Sequence, residues 1–526
     1  MCGFSVFTGK VEEKEFEEKF DLISHRGPDQ RAIHQLVQGT MGFHRLAIMD
    51  LSEAGSQPFI SKSQTHLVCN GEIYNHRILK TDYIDRYEFK SDSDCEVMIP
   101  IFEDYGIEKL LMSLDGEFAF VIEHQGKYYA GRDPIGIRPL FYGYGLEDGK
   151  IAFASEVKAL QGLCKDIEPF PPGHYYADGE FTPYFDVRKI KSRVKEDLDA
   201  VYQGIHDHLV EGVRKRLDAD APVGFLLSGG LDSSLVCAIA AKLSDRPIKT
   251  FAVGIDTNPI DLKYARIVAD YLGSEHHEVI FTKEEAFEHL GELVHKLETW
   301  DITTIRASMG MSLVCKYIRE KTDVKVVLTG EVSDELFGYK YTDFAPSPLE
   351  FQKEAQKRVH ELYLYDVLRA DRSISSHSLE ARVPFSDKAF IEYVMGIAPE
   401  LKMNWSGEGK YLLRKAFDHS GYLPDEILWR EKAAFSDAVG HDMVDWLKAL
   451  AEEKYSEEEL SKASEKYPYA TPFTKESLMY RDLFEGHFPG LSGLISDFWM
   501  PNKEWENCQV DDPSARVLPN YGASGK

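Results

Sequence analysis

Apolar residues recur at i, i+4 spacing from Leu198 onward, at Val201, Ile205, Leu209, Val213 and Leu217, which predicts a helix with one face packed as core. That helix leads into a short apolar run ending at Leu227. After Ser228, Gly229 and Gly230 a second helical pattern opens at Asp232 and continues through Val236 and Ile239 to Leu243. Downstream, strand-like runs at 250–255, 277–281 and 324–328 alternate with helical patterns at 262–272, 283–297 and 308–319. Alternating β and α units predict an α/β doubly wound parallel sheet that binds ligands at the carboxyl ends of its strands. The loops after 227, 254 and 329 are therefore expected to meet at one site. Upstream the pattern differs. β-Branched and aromatic runs at 67–74, 118–123, 127–131, 140–144 and 151–154 are short and separated by Gly, Asp or Pro, with helical patterns at 11–20 and 94–114. These predict sheets flanked by helices, an α+β arrangement. Residues 160–200, with Phe170-Pro171-Pro172-Gly173 and a charged run from Arg188 to Arg193, read as an interdomain segment. The expected division is 1–187, 198–505 and a tail of 506–526.

Composition narrows the function classes. A chain of 526 residues exceeds one core, as two domains require. Its 88 acidic against 61 basic residues give a net charge of −27, which argues against nucleic acid as a partner. Seven cysteines at scattered positions form no Cys-x-x-Cys pair and suit reduced thiols. Neither an 18-residue apolar stretch nor a basic-then-apolar leader is present, so no membrane contact is expected and the compartment is the cytosol. The sequon at Asn404 and the pair His276-His277 carry no function here, the latter lacking further ligands at metal spacing.

The candidate chemistry begins at Ser228-Gly229-Gly230-Leu231-Asp232-Ser233-Ser234. Glycine lets successive N–H groups converge on one anion at a helix N-terminus, and phosphate is the natural guest. A Walker loop would end in Gly-Lys-Ser or Gly-Lys-Thr, whereas here the cation is missing and an aspartate stands in the loop. The stretch resembles the signature loop of the ATP pyrophosphatases, which cleave ATP between the α and β phosphates and leave an aspartate for magnesium.

At the other end, removal of Met1 would leave Cys2 with both a thiol and a free amine. An α-amine titrates near 7.7–8.0 and can take the thiol's proton near neutral pH. Around it stand His25-Arg26-Gly27-Pro28-Asp29, His44-Arg45-Leu46, Asn70-Gly71-Glu72-Ile73-Tyr74-Asn75, Ser93-Asp94 and Gly131-Arg132-Asp133. Together these resemble the class II glutamine amidotransferase domain, an N-terminal-nucleophile αββα sandwich that hydrolyses glutamine. An amide side chain and a glycine N–H can stabilise the tetrahedral oxyanion. The resemblance assigns that task to Asn70 and Gly71 and implies Arg45 for the α-carboxylate, Asp94 for the α-ammonium with Glu72 beside it, and Leu46, Ala47, Ile48 and Met49 as further glutamine contacts.

The second half resembles the glutamine-hydrolysing asparagine synthetase family, in stretches 298–308, 362–372, 380–385 and 511–516. The resemblance implies attack of aspartate's β-carboxylate on the α phosphorus of ATP, loss of pyrophosphate, and displacement of AMP by ammonia from the first domain. It also implies a homodimer and the following roles. Leu227 and Val253 would line the nucleoside site; Ser228, Gly229, Gly230, Asp232, Ser233 and Ser234 would hold pyrophosphate; Thr329 and Gly330 would touch the nucleotide. Asp232 and Asp334 would hold Mg2+, Glu331 and Lys432 would act in catalysis, and Thr303, Thr304 and Arg306 would bind aspartate. One region departs from the family pattern: Val332 replaces a glycine, Gly338-Tyr339 replaces Gly-Gly in a segment one residue short, and Ala433 and Ala438 replace Glu and Gly near Lys432. If position 332 needs φ > 0, valine is strained there and the loop is expected to relax away, weakening adenylation. That departure leaves open a synthetase-impaired homologue with a glutaminase or regulatory role; a relative such as the β-lactam synthetases, acting on another carboxylate, is opposed by Cys2, Asn70 and Asp94.

Overall fold

Among the described residues the first half holds twelve strands: β1 (Gly3–Phe7), β2 (Gln30–Leu36), β3 (Gly39–Arg45), β4 (Phe59–Ile60), β5 (His66–Ile73), β6 (Gly116–His124), β7 (Lys127–Arg132), β8 (Phe141–Gly145), β9 (Ile151–Ala154), β10 (Cys164–Pro169), β11 (His174–Ala177) and β12 (Glu180–Pro183). The computed structural model describes residues 1–191, 197–255, 260–431 and 441–521. The strands form two six-stranded sheets, ordered β10-β8-β9-β1-β3-β2 and β12-β11-β7-β6-β5-β4. Period-two alternation decides what each face meets. Phe4, Val6 and Phe43 from one sheet and Val68, Ala119 and Val121 from the other share a buried layer. The opposite residues of the second sheet, Leu67, Cys69, Phe118 and Phe120, pack under Met98, Phe102 and Leu110 of the helix Met98–Ser113. Phe16 and Phe20 of the helix Glu13–Phe20 lie in the cluster on the outside of the first sheet. The result is the expected αββα sandwich.

Two expectations need correction here. The segment 160–200 is not a linker throughout: β10 pairs with β8, and β11 pairs with β7 and β12. The Pro171-Pro172 pair that suggested a linker lies in the short connection between β10 and β11, while Pro169 and Pro183 end the edge strands β10 and β12, where a missing N–H costs no ladder bond. The helical pattern 94–114 is also interrupted, since Cys95–Val97 is a 3-10 turn and Gly106 sits at φ 76 and ψ −176.

In the second half β13 (Val223–Leu226), β14 (Lys249–Ile255), β15 (Glu275–Phe281), β16 (Val326–Leu328) and β17 (Glu380–Arg382) form a parallel sheet in the order β15-β14-β13-β16-β17. The helix Leu198–Arg216 buries Val201, Ile205, Leu209 and Val213 as the spacing predicts. The helix predicted at 308–319 starts earlier, at Ile302, because Asp301 caps it by accepting from the Thr304 N–H. The three charged-and-small residues of β17 gave no strand signal, yet they complete the sheet edge.

Buried ion pairs join the halves. Arg26 binds Glu156 at 2.8 Å and Asp371 at 2.8 Å, while Arg372 reaches Glu156 at 3.0 Å and Glu298 at 2.8 Å. A second group links Glu117 to Arg216 at 2.8 Å and to Arg138 at 3.2 Å. Breaking such a pair leaves a buried charge uncompensated, so these contacts fix the relative placement of the two sites.

Candidate active sites

β1 opens just after Cys2, so the thiol lies where the sandwich meets the second half. Its Sγ is 3.7 Å from the Leu46 carbonyl, and Arg26 Nε donates to the Cys2 carbonyl at 2.9 Å. Burial pushes the thiol up to about 11. Met1 is present and wholly buried, its amine within 3.3 Å of the Leu379 carbonyl and Arg138 Nη1 at 2.7 Å from its sulfur. While Met1 remains, the Cys2 nitrogen is an amide and cannot serve as the base.

Asn70 lies on β5, fully buried, and neither atom of its amide finds a hydrogen-bond partner among the described residues. A native buried amide without partners points to a group that completes it on binding. Gly71 follows, and a Cβ there would meet the Glu117 carbonyl at 2.4 Å, so β5 and β6 approach too closely for any other residue. Arg45, at the end of β3, donates to Gln30 at 2.9 Å, to the Ser52 carbonyl at 2.6 Å and to the Asp50 carbonyl. No carboxylate pairs with it among the described residues, and burial lowers its pKa; both leave it poised for an anion. Leu46, Ala47, Ile48 and Met49 follow it as a buried loop, with the Ala47 N–H donating to Asp29 at 2.8 Å. Burial raises Asp94, which accepts from the Ile73 N–H at 2.6 Å. The Glu72 carboxylate is 3.0 Å from Arg382 of β17, and burial pushes it well above the usual range. It is tied to the other half through that contact.

The second site is a cavity of about 200 Å3 at the carboxyl ends of β13, β14 and β16, lined by Leu227, Ser228, Gly230, Asp232, Ser233, Val253, Thr329, Gly330 and Glu331. The three loops meet as the alternation predicts. Gly229 takes φ 72, and a Cβ there would strike the Ala265 N–H at 2.5 Å. The turn is braced by Ser233 Oγ, 3.0 Å from Ser228 Oγ, and the helix Leu231–Leu243 follows. The hydroxyls of Ser234 and Thr329 are buried without partners among the described residues. Asp232 and Asp334 converge, but on Lys410: its Nζ is 2.8 Å from both Asp232 oxygens and 2.6 Å from Asp334 Oδ1. Sequence reasoning missed Lys410, which caps a short helix in the left-handed region at φ 59 and has no motif around it. Two hard carboxylates converging on one cation suit Mg2+, which takes one or two carboxylates and completes its shell with phosphate oxygens and water. Lys432 lies outside the described residues.

Of the residues expected to bind aspartate, Thr303 lines the cavity with a hydroxyl that has no partner among the described residues. Thr304 does not line it; its hydroxyl is 2.8 Å from the capping Asp301. Arg306 lines the cavity but is held by Glu476 at 2.8 and 2.6 Å and by Asp512 at 3.0 and 3.2 Å. Glu331 is paired with Arg369, which also binds Asp366 at 2.9 Å. Val332 has φ 79 and is buried, so the loop keeps the left-handed geometry instead of relaxing away from it. Pro513 and Ser514, from the stretch after Asp511, also line the cavity.

Profiles of two families match this arrangement: one described as a glutamine amidotransferase domain, over residues 1–192, and one described as asparagine synthase, over 204–349 and 343–512. The molecule is thus of the class that joins an amidotransferase half to a synthase half. It is 41% identical to the glutamine-hydrolyzing asparagine synthetase of Cricetulus griseus, over 96% of both chains, and equally so to that of Homo sapiens. It is 40% identical to a probable enzyme of that name from Acanthamoeba polyphaga mimivirus, over 99% of this chain and 100% of the relative. The chain belongs to the glutamine-hydrolysing asparagine synthetase family.

Proposed function

We propose that the chain makes asparagine from aspartate and ATP with glutamine as nitrogen donor. The observation that carries this reading is that both sites hold buried polar groups awaiting a ligand, the Asn70 amide in one and the Ser234 and Thr329 hydroxyls in the other. After loss of Met1, the Cys2 thiolate attacks the glutamine carboxamide, with Asn70 and the Gly71 N–H receiving the oxyanion and Arg45 the α-carboxylate. Asp94 neutralises the α-ammonium. Ammonia leaves, and water releases glutamate from the thioester.

In the second half aspartate's β-carboxylate displaces pyrophosphate from the α phosphorus, and ammonia then displaces AMP from the acyl carbon. Ser228–Ser234 hold the leaving phosphates, Leu227 and Val253 the nucleoside, and Thr303 and Arg306 the amino acid. Glu331 acts at the acyl-adenylate and Lys432 on the phosphates. Mg2+, held by Asp232 and Asp334, would neutralise phosphate charge when bound. No described helix is long and apolar enough to cross a membrane; a cytosolic homodimer is the assembly the reading carries. The test is formation of pyrophosphate and asparagine from ATP and aspartate, with glutamine and with ammonium as donor. ATP cleavage to ADP and phosphate, or no dependence on aspartate, would overturn it.

A further inference from the structure

Arg306 is the residue proposed to read the amino-acid substrate, yet four of its donor contacts go to protein carboxylates. Nε and Nη2 bind Glu476 at 2.8 and 2.6 Å; Nη1 and Nη2 bind Asp512 at 3.0 and 3.2 Å. Asp512 also meets Lys448 at 2.5 Å and accepts from the Ser514 N–H at 2.7 Å. Two cations face two anions, so the group as it stands offers no net charge to an incoming carboxylate. One acid must yield before Arg306 can bind substrate.

The two acids are not equivalent. Glu476 sits in the first turn of the helix Lys475–His487, is 4% exposed, and also accepts from the Tyr480 hydroxyl at 2.9 Å. Asp512 belongs to an irregular segment near the chain end, makes the longer contacts to Arg306, and its side chain is 16% exposed, facing a second recess beside Lys448 and Asp511. Lys448 is 41% exposed and stays solvated if Asp512 moves. The two residues after Asp512, Pro513 and Ser514, line the substrate cavity. One turn before Arg306 on the same helix face, the Thr303 hydroxyl opens into that cavity with no partner among the described residues.

We infer that Asp512 occupies, in the substrate-free protein, the place on Arg306 that a carboxylate of the substrate aspartate takes. This rests on the reading of Arg306 as the aspartate reader. The internal side chain is chemically the same acid as the substrate, so exchange replaces one bidentate carboxylate with another and costs Arg306 no donor. Exchange also frees the segment around Pro513 from the cavity wall, which admits the substrate.

A bound competitor lowers apparent affinity by the fraction of sites it leaves free. Asp512→Asn keeps shape but removes the charge, and its aspartate KM is expected to fall at least about threefold in the ammonium-dependent reaction. A KM that is unchanged or higher overturns the exchange. Hydrogen exchange on the wild-type protein gives a second measure: adding L-aspartate to the complex with α,β-methylene ATP should speed exchange in 511–518, and unchanged or slower exchange there overturns the inference. Arg306→Gln separates the two readings. If its aspartate KM equals the wild-type value, Arg306 is not the reader and both fall; if it rises while Asp512→Asn fails to lower KM, only the exchange falls.

Discussion

Arg382, on the last strand of the parallel sheet, and Glu72, two residues after Asn70, lie 3.0 Å apart across the contact between the halves. Arg382 also holds Glu380 at 2.8 Å, and both acids are buried. The strand carrying Asn70 and Gly71, the proposed oxyanion donors, is thus anchored by the synthase half.

Arg382→Met should cost about 3–5 kcal/mol, because Glu72 would be left buried without its cation and Glu380 with only Arg138, 3.8 Å away, among the described residues. Urea unfolding measures it. A loss below about 1 kcal/mol would mean that the pair does not couple the halves. In a variant that still folds, the glutamine KM should rise more than the aspartate KM, since Glu72 shares its strand with Asn70.

Cys2→Ala should abolish glutamine-dependent synthesis and spare the ammonium-dependent reaction, because the thiol serves only ammonia release. Equal loss with both donors would sink that assignment. The structure adds a pH test. With Met1 retained the thiol is pushed up to about 11, so at pH 8 its thiolate fraction is on the order of one in a thousand. Enzyme from a host that leaves Met1 in place should release glutamate on that scale, rising with pH toward 11, while ammonium-dependent synthesis is unaffected. Comparable glutamate release with and without Met1 at pH 8 would refute the need for a free amine.

Much of this was legible from pattern, because the informative signals are local. The stripe from Val201 to Val213, the alternation around β13, β14 and β16, and the glycine turn at 228–230 each follow from a few neighbouring residues. What pattern missed depends on distant partners. Lys410 reaches Asp232 across 178 positions and Asp512 reaches Arg306 across 206. Neither distance has a periodic trace. Nothing near Glu72 in sequence says that Arg382 will reach it, and β17 was missed because two of the three residues of Glu-Ala-Arg are charged.

Asp232→Asn should reduce pyrophosphate formation on the order of a hundredfold and leave glutamate release measurable, since its carboxylate, bound by Lys410 and Ser333, lies in the phosphate loop of the second half. Full synthesis in that variant would show that the loop does not hold the phosphates. Arg45→Ala should do the reverse: the glutamine KM rises and ammonium use is spared.

Val332 tests what a β-branched residue costs at φ 79. Strain there is worth about 1–3 kcal/mol, but the side chain is 1% exposed and packs in the cluster with Leu328 and Leu336. Burying a valine returns about 1.5–3 kcal/mol, enough to offset the strain and explain why the loop stays in place. Val332→Gly should therefore change stability little and leave both pyrophosphate and glutamate release near wild type. Val332→Ala is the sharper variant, because it loses the packing and keeps a Cβ at positive φ. A Cβ in the left-handed region costs about 1–2 kcal/mol, partly offset by the extra unfolded-state entropy of glycine, so glycine should be more stable than alanine by about 0.5–1 kcal/mol. At negative φ inside a helix the order reverses, with alanine ahead by about 1 kcal/mol. Urea unfolding of the two variants reads that sign directly. Alanine above glycine would show that the backbone at 332 is not left-handed in solution, and a rise in pyrophosphate formation for Val332→Gly would show that the strain had been misplacing the loop.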